Sequence, residues 1–279
     1  MAGAVSEFPA PARRSLGTRL FLVFQFGAAG LYLLLVLAML VADATYTSPG
    51  AILEVLERPE IRHAFALSFA TATLAAVLSV LFAVPISYLI SRRNFRGKAL
   101  LDALLDVPIL LPPMVIGISL LILFQTTPGR AIERLVPFTY EVPGIVLAQF
   151  TVACAFAIRT LRVTFEAQDK RTEGVARSLG ASRFQAFWHV ALPKASGGVV
   201  AAGLLAFARA LGEFGPVLVF SGATRMKTEV LPATVFLELS IGDLDAAVAV
   251  SLILVGSALA VLVLARSLRM LGEPTEEQR

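Results

Sequence analysis

Long apolar stretches alternate with short polar connections along this chain of 279 residues. A helix crosses the apolar core of a bilayer with about 20 mostly apolar residues. Six stretches meet that length: 20–42, 64–90, 100–124, 143–164, 198–220 and 245–265. The pattern therefore predicts an all-α, polytopic membrane protein whose six transmembrane helices form one domain over residues 20–265, between the terminal segments 1–19 and 266–279.

The arginines and lysines are distributed unequally between the two sides that this pattern defines. Of the 24 basic residues, six lie in the connections of one side and 16 lie at or beside the segments 1–19, 91–99, 165–197 and 266–279. Cytoplasmic connections of membrane proteins carry an excess of lysine and arginine. We therefore expect a multi-pass protein of the cell (inner) membrane with both termini and the loop 165–197 in the cytoplasm. The first span is longer than the apolar core of a secretory signal, about 7–15 residues, so we expect an uncleaved anchor.

Composition narrows the partners of the chain. Hydrophobic residues make up 57% of it and charged residues 16%, with a mean hydropathy of +0.79. The net charge of +4 would suit nucleic acid, but the basic residues lie beside apolar stretches and no zinc or aromatic RNA-binding motif accompanies them. We expect the lipid bilayer as a partner and no nucleic acid. With Cys154 as the single cysteine, neither a disulfide within the chain nor a cysteine metal cluster is expected.

The stretch EGVARSLGASRFQAFWHVALP, residues 173–193, departs from the apolar pattern because it is basic and amphipathic. Thr172 is placed to cap a first helix that carries Glu173 in its first turn, where a negative charge meets the positive end of the helix dipole. Gly180 is expected to follow the end of that helix in the left-handed conformation. Ser182 can then cap a second helix, so the stretch predicts a hairpin of short helices.

The second helix carries apolar residues at i, i+3, i+4 and i+7, which is typical of one helix face: Phe184, Phe187, Trp188 and Ala191. Pro193 is expected to separate the hairpin from the next span. These residues alone leave two interpretations open. A basic amphipathic hairpin can lie on the membrane surface, or its aromatic residues can anchor a soluble partner.

The same segment resembles the cytoplasmic signature loop of ATP-binding-cassette importer permeases. In that loop a Glu-Ala-Ala run is followed by a glycine and later by an apolar residue and Leu-Pro, and the positions that match here are Gly180, Val190, Leu192 and Pro193. The Glu-Ala-Ala run departs from the family's pattern. The acid stands one place earlier, at Glu173, and the run is occupied by Gly174, Val175 and Ala176. The glycine turn and its spacing to Leu-Pro are unchanged.

Four further stretches resemble the molybdate, tungstate and sulfate branch of this family, with the molybdate/tungstate permeases nearest: DVPILLPPMVIG, FARALGEFGPVLVFSG, TRMKTEVLP and GDLDAAVAVSLILV. The resemblance implies that the loop inserts into a cleft of a separate nucleotide-binding subunit. It also implies a homodimer with a second copy of the permease, two ATP-binding subunits and an extracytoplasmic oxyanion-binding protein. The residues it assigns to ATPase coupling are Glu173, Gly174, Ala176, Gly180, Ala181, Phe184, Phe187, Leu192 and Pro193.

The chain carries no phosphate loop of the form G-x-x-x-x-G-K-[ST], and its one Gly-Lys pair, Gly97-Lys98, lacks the upstream glycine. We therefore expect no cofactor in this chain: ATP is bound by a partner subunit, and the chain is a transport subunit rather than an enzyme. The alternatives from another class are a membrane-embedded enzyme or a sensor scaffold. The sequence offers the enzyme no convergent Ser/His/Asp, metal or paired-acid constellation.

Prolines and charges interrupt two of the predicted spans. In the third span Pro108, Pro112 and Pro113 remove backbone donors and predict a kink. The kink either packs against a neighbouring helix or forms a wall of a substrate pathway. In the fifth span Arg209 and Glu213 lie one helical turn apart, so they either neutralise each other or line the pathway of an anion. The candidate pathway residues are Pro112, Pro113, Arg209 and Glu213.

The predicted cargo rests on charge and on the family resemblance. Arg159 and Arg209 place positive charge in or near the spans, which lowers the electrostatic cost of an anion in low-dielectric surroundings. The resemblance implies a tetrahedral oxyanion, molybdate or tungstate before sulfate, carried through a pathway that is coupled to ATP hydrolysis by a separate subunit. A sulfate/thiosulfate permease of the same family is the alternative.

Overall fold

The structure is a computed structural model that describes residues 16–272. The predicted N-terminal segment before residue 16 and the predicted tail beyond residue 272 lie outside the described residues. Within the described range there is no β-strand. The α-helices are α1 (Leu16–Tyr46), α2 (Pro49–Glu57), α3 (Pro59–Arg92), α4 (Lys98–Leu110), α5 (Pro113–Gln125), α6 (Thr127–Glu133), α7 (Val142–Ala167), α8 (Lys170–Ser178), α9 (Arg183–Ala186), α10 (Leu192–Lys194), α11 (Ser196–Leu211), α12 (Gly215–Ser221), α13 (Leu231–Ile241) and α14 (Leu244–Gly272).

Among residues 16–272, four helices are long and apolar enough to cross a membrane on their own: α1 over Leu20–Tyr46, α3, α7, and α14 over Leu244–Val261. Two bent pairs of helices pass the same test together, namely α4 with α5, and the segment Arg183–Lys194 with α11. These helices confirm an all-α, polytopic membrane protein. The count of six spans stays a prediction, because it requires each bent pair to cross the bilayer as one span.

The described residues fall into two compact units, which divide between Ser48 and Pro49. Within the described part of the first unit the helix is α1, whose apolar stretch has a mean hydropathy of 2.3. Most of its described leucines and all of its phenylalanines are exposed, as suits a helix that lipid solvates. The second unit contains the hairpin with its predicted coupling residues, and it also contains the four predicted pathway residues.

The predicted third span is broken. Its halves α4 and α5 meet at an angle of 111°, with Leu111 and Pro112 between them. Pro113 occupies the first turn of α5, where a missing N–H costs no hydrogen bond. Pro108 was also expected to disrupt the helix, but the break lies beyond it, after Leu110. Pro108 lies inside α4, and the Leu111 N–H still bonds to the carbonyl of Val107 at 3.0 Å.

The predicted fifth span is broken as well, although the apolar pattern indicated one helix over 198–220. The helix α11 ends at Leu211, and α12 begins only at Gly215. A further apolar helix, α13, follows in what the pattern showed as a connection between spans. Its 11 residues are fewer than a span requires.

Small residues fill the core where α3, α7 and α11 pack together. On α11 the buried alanines recur every four residues and therefore share one face: Ala202, Ala206 and Ala210. They pack in one cluster with buried alanines of the other two helices, which include Ala72, Ala75, Ala153 and Ala157. Small side chains let helix backbones approach closely where lipid removes the usual hydrophobic driving force.

The helices α3 and α7 run in the same direction. The Ser87 hydroxyl donates to the carbonyl of Ile158 at 2.8 Å, and further along both helices Arg92 donates to the carbonyl of Phe165 at 2.6 Å. The carboxyl ends of both helices therefore lie together. We call this the hairpin end, because the hairpin over residues 170–194 joins it, and we call the other the opposite end.

Candidate functional site

The first helix of the hairpin begins earlier than predicted. Asp169, not Thr172, caps it: the Asp169 carboxylate accepts the N–H of Arg171 at 2.9 Å. Thr172 already lies in the first turn, and its hydroxyl donates to the carbonyl of Asp169 at 2.9 Å. The carboxylate accepts hydrogen bonds more strongly than a hydroxyl does, which favours the earlier start. Glu173 remains in the first turn, as expected.

The turn between the hairpin helices forms at the predicted glycine. Gly180 has φ +96°, a conformation that side chains with a Cβ disfavour. Its N–H bonds to the carbonyl of Arg177, and the N–H of Ala181 bonds to that of Ala176, both at 3.1 Å. These two bonds close the end of α8. A Cβ added at Gly180 would meet nothing within 4 Å, so backbone conformation alone selects glycine here.

The second helix begins as predicted but does not keep one apolar face. Ser182 caps it in a reciprocal pair of hydrogen bonds with Gln185. The backbone then widens into a π-helical turn over Phe187–Ala191, which rotates the later side chains away from α-helical spacing. The predicted single face is therefore wrong. Two of its residues, Phe187 and Ala191, pack on the core, whereas Phe184 and Trp188 point outward.

The outward pair forms an exposed aromatic surface. The rings of Phe184 and Trp188 stack with centroids 6.2 Å apart and planes 15° apart, while 71% and 55% of the two residues stay exposed. Val175 of the first helix and Leu179, which directly follows that helix, are also exposed. We call these four residues the hairpin patch. Exposed aromatic and aliphatic groups of this kind are typical of binding surfaces.

Pro193 does not separate the hairpin from the next span. It lies in the first turn of α10, where its missing N–H is tolerated, and Leu192 and Pro193 continue the helical path. The chain turns by 70° between Lys194 and Ser196 instead, at the buried Ala195. The prediction placed this bend too early.

Glu173 points back toward the spans rather than outward. Its carboxylate accepts the Nε–H of Arg92 and the hydroxyl of Tyr88, each at 2.7 Å. The side chains of Arg92 and Glu173 are only 9% and 12% exposed. The sequence did not predict either partner. It showed Arg92 only as one of several basic residues near a span, and its neighbours in sequence do not distinguish it from Arg93.

The four predicted pathway residues come together at one cavity of about 410 Å³. Pro112 and Pro113 contribute the break between α4 and α5, and Arg209 and Glu213 contribute the break between α11 and α12. A Cβ added to Gly215 would lie 3.1 Å from the backbone nitrogen of Met114. The two breaks therefore meet across a glycine.

Arg209 and Glu213 form the predicted ion pair within one helical turn. Glu213 is 1% exposed and Arg209 is 28% exposed, so the carboxylate is buried while the guanidinium reaches the cavity. The Arg209 guanidinium also lies 5.7 Å from the ring centroid of Phe156, within the range of a cation–π contact. The pair neutralises itself and lines the cavity at the same time, so the two interpretations are compatible.

Other charged residues near the hairpin end are paired. Asp102 forms an ion pair with Arg162 at 2.9 Å, and the Arg162 Nε–H donates to Glu166 at 2.9 Å. Arg159 is exposed beside this group. In the part of the chain that the structure describes, no group of three or more His, Cys, Asp and Glu residues is arranged to hold a metal ion.

Comparison with known proteins identifies the class to which this architecture belongs. Residues 83–272 match the family described as binding-protein-dependent transport system inner membrane components. That segment is more than half of the chain, and the chain belongs to this family of transport permeases.

Individual relatives narrow the resemblance. The chain is 36% identical over 240 residues to a probable molybdenum ABC transporter permease protein of Haloferax volcanii, covering 86% of this chain and 87% of the relative. It is 34% identical over 252 residues to the sulfate transport system permease protein CysT of Escherichia coli K12, covering 89% and 88%. Both relatives are permease subunits, so the assignment as a transport subunit rather than an enzyme is confirmed.

The fold is also similar to a solved structure, the crystal structure of a bacterial ABC transporter involved in the import of the acidic polysaccharide alginate. The TM-score is 0.73 over 92% of this chain and 97% of that chain, at 13% sequence identity. This likeness concerns the fold alone.

Proposed function

We propose that this chain is the permease subunit of an ATP-binding-cassette importer and that it forms the translocation pathway for a tetrahedral oxyanion. The observation that carries the proposal is the hairpin. It presents the exposed hairpin patch on one side, and on the other it is hydrogen-bonded to the ends of two long helices. A surface element attached in this way can pass the motion of a docked subunit to the spans.

The family to which the chain belongs supports a proposal for its partners. The hairpin patch docks in a cleft of a separate ATP-binding subunit, where its aromatic residues serve as buried anchors. Two copies of this permease work with two ATP-binding subunits and an extracytoplasmic binding protein. ATP is bound by the partner subunits. The coupling residues are those of the signature loop, of which Phe184 is the most exposed aromatic.

The cavity between the broken helices supports the proposal that the cargo is an anion. The Arg209 guanidinium reaches the cavity and holds its N–H groups toward Glu213. Guanidinium binds the oxygens of tetrahedral anions as readily as those of a carboxylate. A passing oxyanion therefore competes with Glu213 for Arg209, and Glu213 closes the site again after the anion has left. Contacts of this kind are transient, since a permease must release its cargo.

Molybdate or tungstate is proposed before sulfate. The motifs around the prolines of α5 and the Arg209 helix support this order, as does the similarity to the molybdenum permease. Sulfate is the second candidate, favoured by the equally extensive similarity to the sulfate permease.

The decisive experiment is ATPase stimulation in a reconstituted transporter. We expect binding protein loaded with molybdate or tungstate to stimulate the ATPase, sulfate to do so less, and a sugar or an amino acid not at all. Arg209→Gln should reduce uptake while leaving the subunits assembled. Stimulation by an uncharged solute alone would contradict the oxyanion assignment but leave the permease assignment in place.

The orientation is proposed on the distribution of basic residues, with the hairpin and both termini in the cytoplasm. Single-cysteine labelling in intact cells tests it in a background without Cys154. Cysteine at the exposed position Arg171 should resist an impermeant reagent added from outside, and cysteine at the exposed position Arg134 should react. The reverse pattern would overturn the orientation.

A further inference from the structure

The first hairpin helix is attached to the spans almost entirely by polar contacts. None of the nine residues of α8 is buried, so apolar packing contributes little to its position. Its strongest tie is the Glu173 carboxylate, which bonds to both Arg92 and Tyr88 in the last turn of α3. Removing these bonds would leave α8 connected to α3 by little else.

The Arg92 guanidinium extends this tie to the neighbouring elements. Besides Glu173, it donates to the carbonyl of Phe165 at the end of α7 at 2.6 Å, and to the side chain of Gln168 at 3.3 Å. Gln168 in turn donates to the carbonyl of Ala191 in the π-helical turn at 3.2 Å. One guanidinium therefore joins two long helices to both halves of the hairpin.

An aromatic contact supports the second half at the same place. The Phe187 ring lies 4.6 Å from the Tyr88 ring, centroid to centroid, and Tyr88 also packs on Phe165. Both halves of the hairpin therefore rest on one turn of α3. The outward surface of the hairpin is left free for other contacts.

We propose that the Arg92–Glu173 pair, completed by the Tyr88 hydroxyl, is the link that makes the hairpin move together with α3. The acid of the signature segment then serves inside this chain and positions the hairpin, rather than binding the ATP-binding subunit. This inference rests on the proposed function, because a link of this kind matters only if the hairpin transmits motion from a docked subunit.

The test compares single and double variants in the reconstituted transporter. The readout is the number of oxyanions, molybdate or sulfate, transported per ATP hydrolysed. We expect Glu173→Gln and Arg92→Gln each to lower this ratio by about fivefold or more, and the double variant to be no worse than the poorer single variant, as holds for residues that act as one unit. The ATP-binding subunits should copurify with all three variants as with the wild type.

Glu166→Gln is the matched control. It also removes a carboxylate bonded to an arginine at the same end, at 2.9 Å, but Glu166 does not bond to the hairpin. Its transport ratio should stay at the wild-type value. Tyr88→Phe removes a single hydroxyl and serves if a charge variant fails to fold; it should give a smaller loss of the same kind.

Hydrogen exchange on the purified chain separates this inference from the proposed function. Amides of residues 170–178 should exchange faster in Glu173→Gln and at the wild-type rate in Glu166→Gln, whether or not the wild type transports. If the wild-type transporter showed no oxyanion-dependent uptake, the proposed function would be wrong, but the inference about the Arg92–Glu173 pair would not be affected. Unchanged amide exchange in Glu173→Gln would contradict the proposed role of the Arg92–Glu173 pair. The same role would be contradicted if only Glu173→Gln lost the ATP-binding subunits while Arg92→Gln kept the wild-type number of oxyanions transported per ATP hydrolysed.

Discussion

Two arginine–glutamate pairs of this protein differ in how they are assembled. Arg209 and Glu213 are four residues apart on one turn, and Arg209 faces a cavity. Arg92 and Glu173 are 81 residues apart, and Arg92 also bonds to two further acceptors on other elements. The first pair neutralises charge locally, whereas the second joins separate elements. The same two residue types therefore neutralise a buried charge in one region and hold separate helices together in the other.

The largest effect is expected from Arg209→Ala, which tests whether the local pair is a matter of charge. The variant leaves the buried carboxylate of Glu213 without its partner, and breaking a buried pair in this way costs about 3–5 kcal/mol. Thermal unfolding of the purified chain measures the loss. The double variant Arg209→Ala/Glu213→Gln should recover most of it, because no buried charge remains. A double variant as unstable as the single one would refute the charge explanation.

Replacing Arg92 and Arg209 by lysine compares the two ion pairs directly. Lysine carries the charge but not the planar fork of donors. Arg92→Lys should therefore lose bonds to some of its acceptors and cost about 1–3 kcal/mol, visible as faster amide exchange in the hairpin. Arg209→Lys should be nearly neutral in thermal stability. Equal effects at both positions would mean that the two arginines do the same work.

A substitution at Gly180 tests the backbone of the hairpin, whereas the arginine variants test side chains. Gly180→Val places a β-branched residue at φ +96°, and the left-handed conformation costs an L-residue about 1–2 kcal/mol. We expect about a tenfold loss of transport per ATP hydrolysed while the spans still insert. Gly180→Ala should give a smaller loss in the same direction, since no neighbour obstructs its Cβ. Wild-type transport in the valine variant would show that the turn does not require a left-handed residue.

The smallest effect concerns Glu229, a buried glutamate at the opposite end. Within residues 16–272 no arginine forms an ion pair with it, whereas Glu173 and Glu213 each pair with one. Burial raises the pKa of Glu229 above its ordinary value of 4.5, although Arg225 opposes the shift. The folded state therefore favours the protonated form, and the stability of the protein should fall as the pH rises from 4.5 through the raised pKa.

Glu229→Gln should remove this part of the pH dependence, which thermal unfolding across the pH range can measure. Asp243 is the matched case of opposite sign. The N–H of Ala246 lowers the pKa of Asp243 below 3.8, so its stabilising contribution is lost only when the pH falls through that lowered value. A stability profile that Glu229→Gln leaves unchanged would show that burial does not govern this carboxylate.

Local features were predictable because they depend on residues close together in sequence. The four long apolar helices follow from apolar length, the turn from Gly180, the second cap from Ser182, and the local pair from the spacing of Arg209 and Glu213. Even here local competition produced errors. Asp169 and Thr172 both carry side chains that can cap a helix, and the stronger acceptor, the Asp169 carboxylate, binds the N–H of Arg171.

The sequence by itself determined the all-α class, the apolar membrane-spanning character, the glycine turn and the family resemblance, since each depends on hydrophobicity, local backbone preference or short motifs. Tertiary structure alone decided that Arg92 rather than Arg93 meets Glu173, that a π-helical turn splits Phe184 from Phe187, and that two broken helices meet at one cavity. The physical reason is that these features arise from packing between distant segments. Charge and spacing along the chain do not specify which of several basic residues will face a given carboxylate.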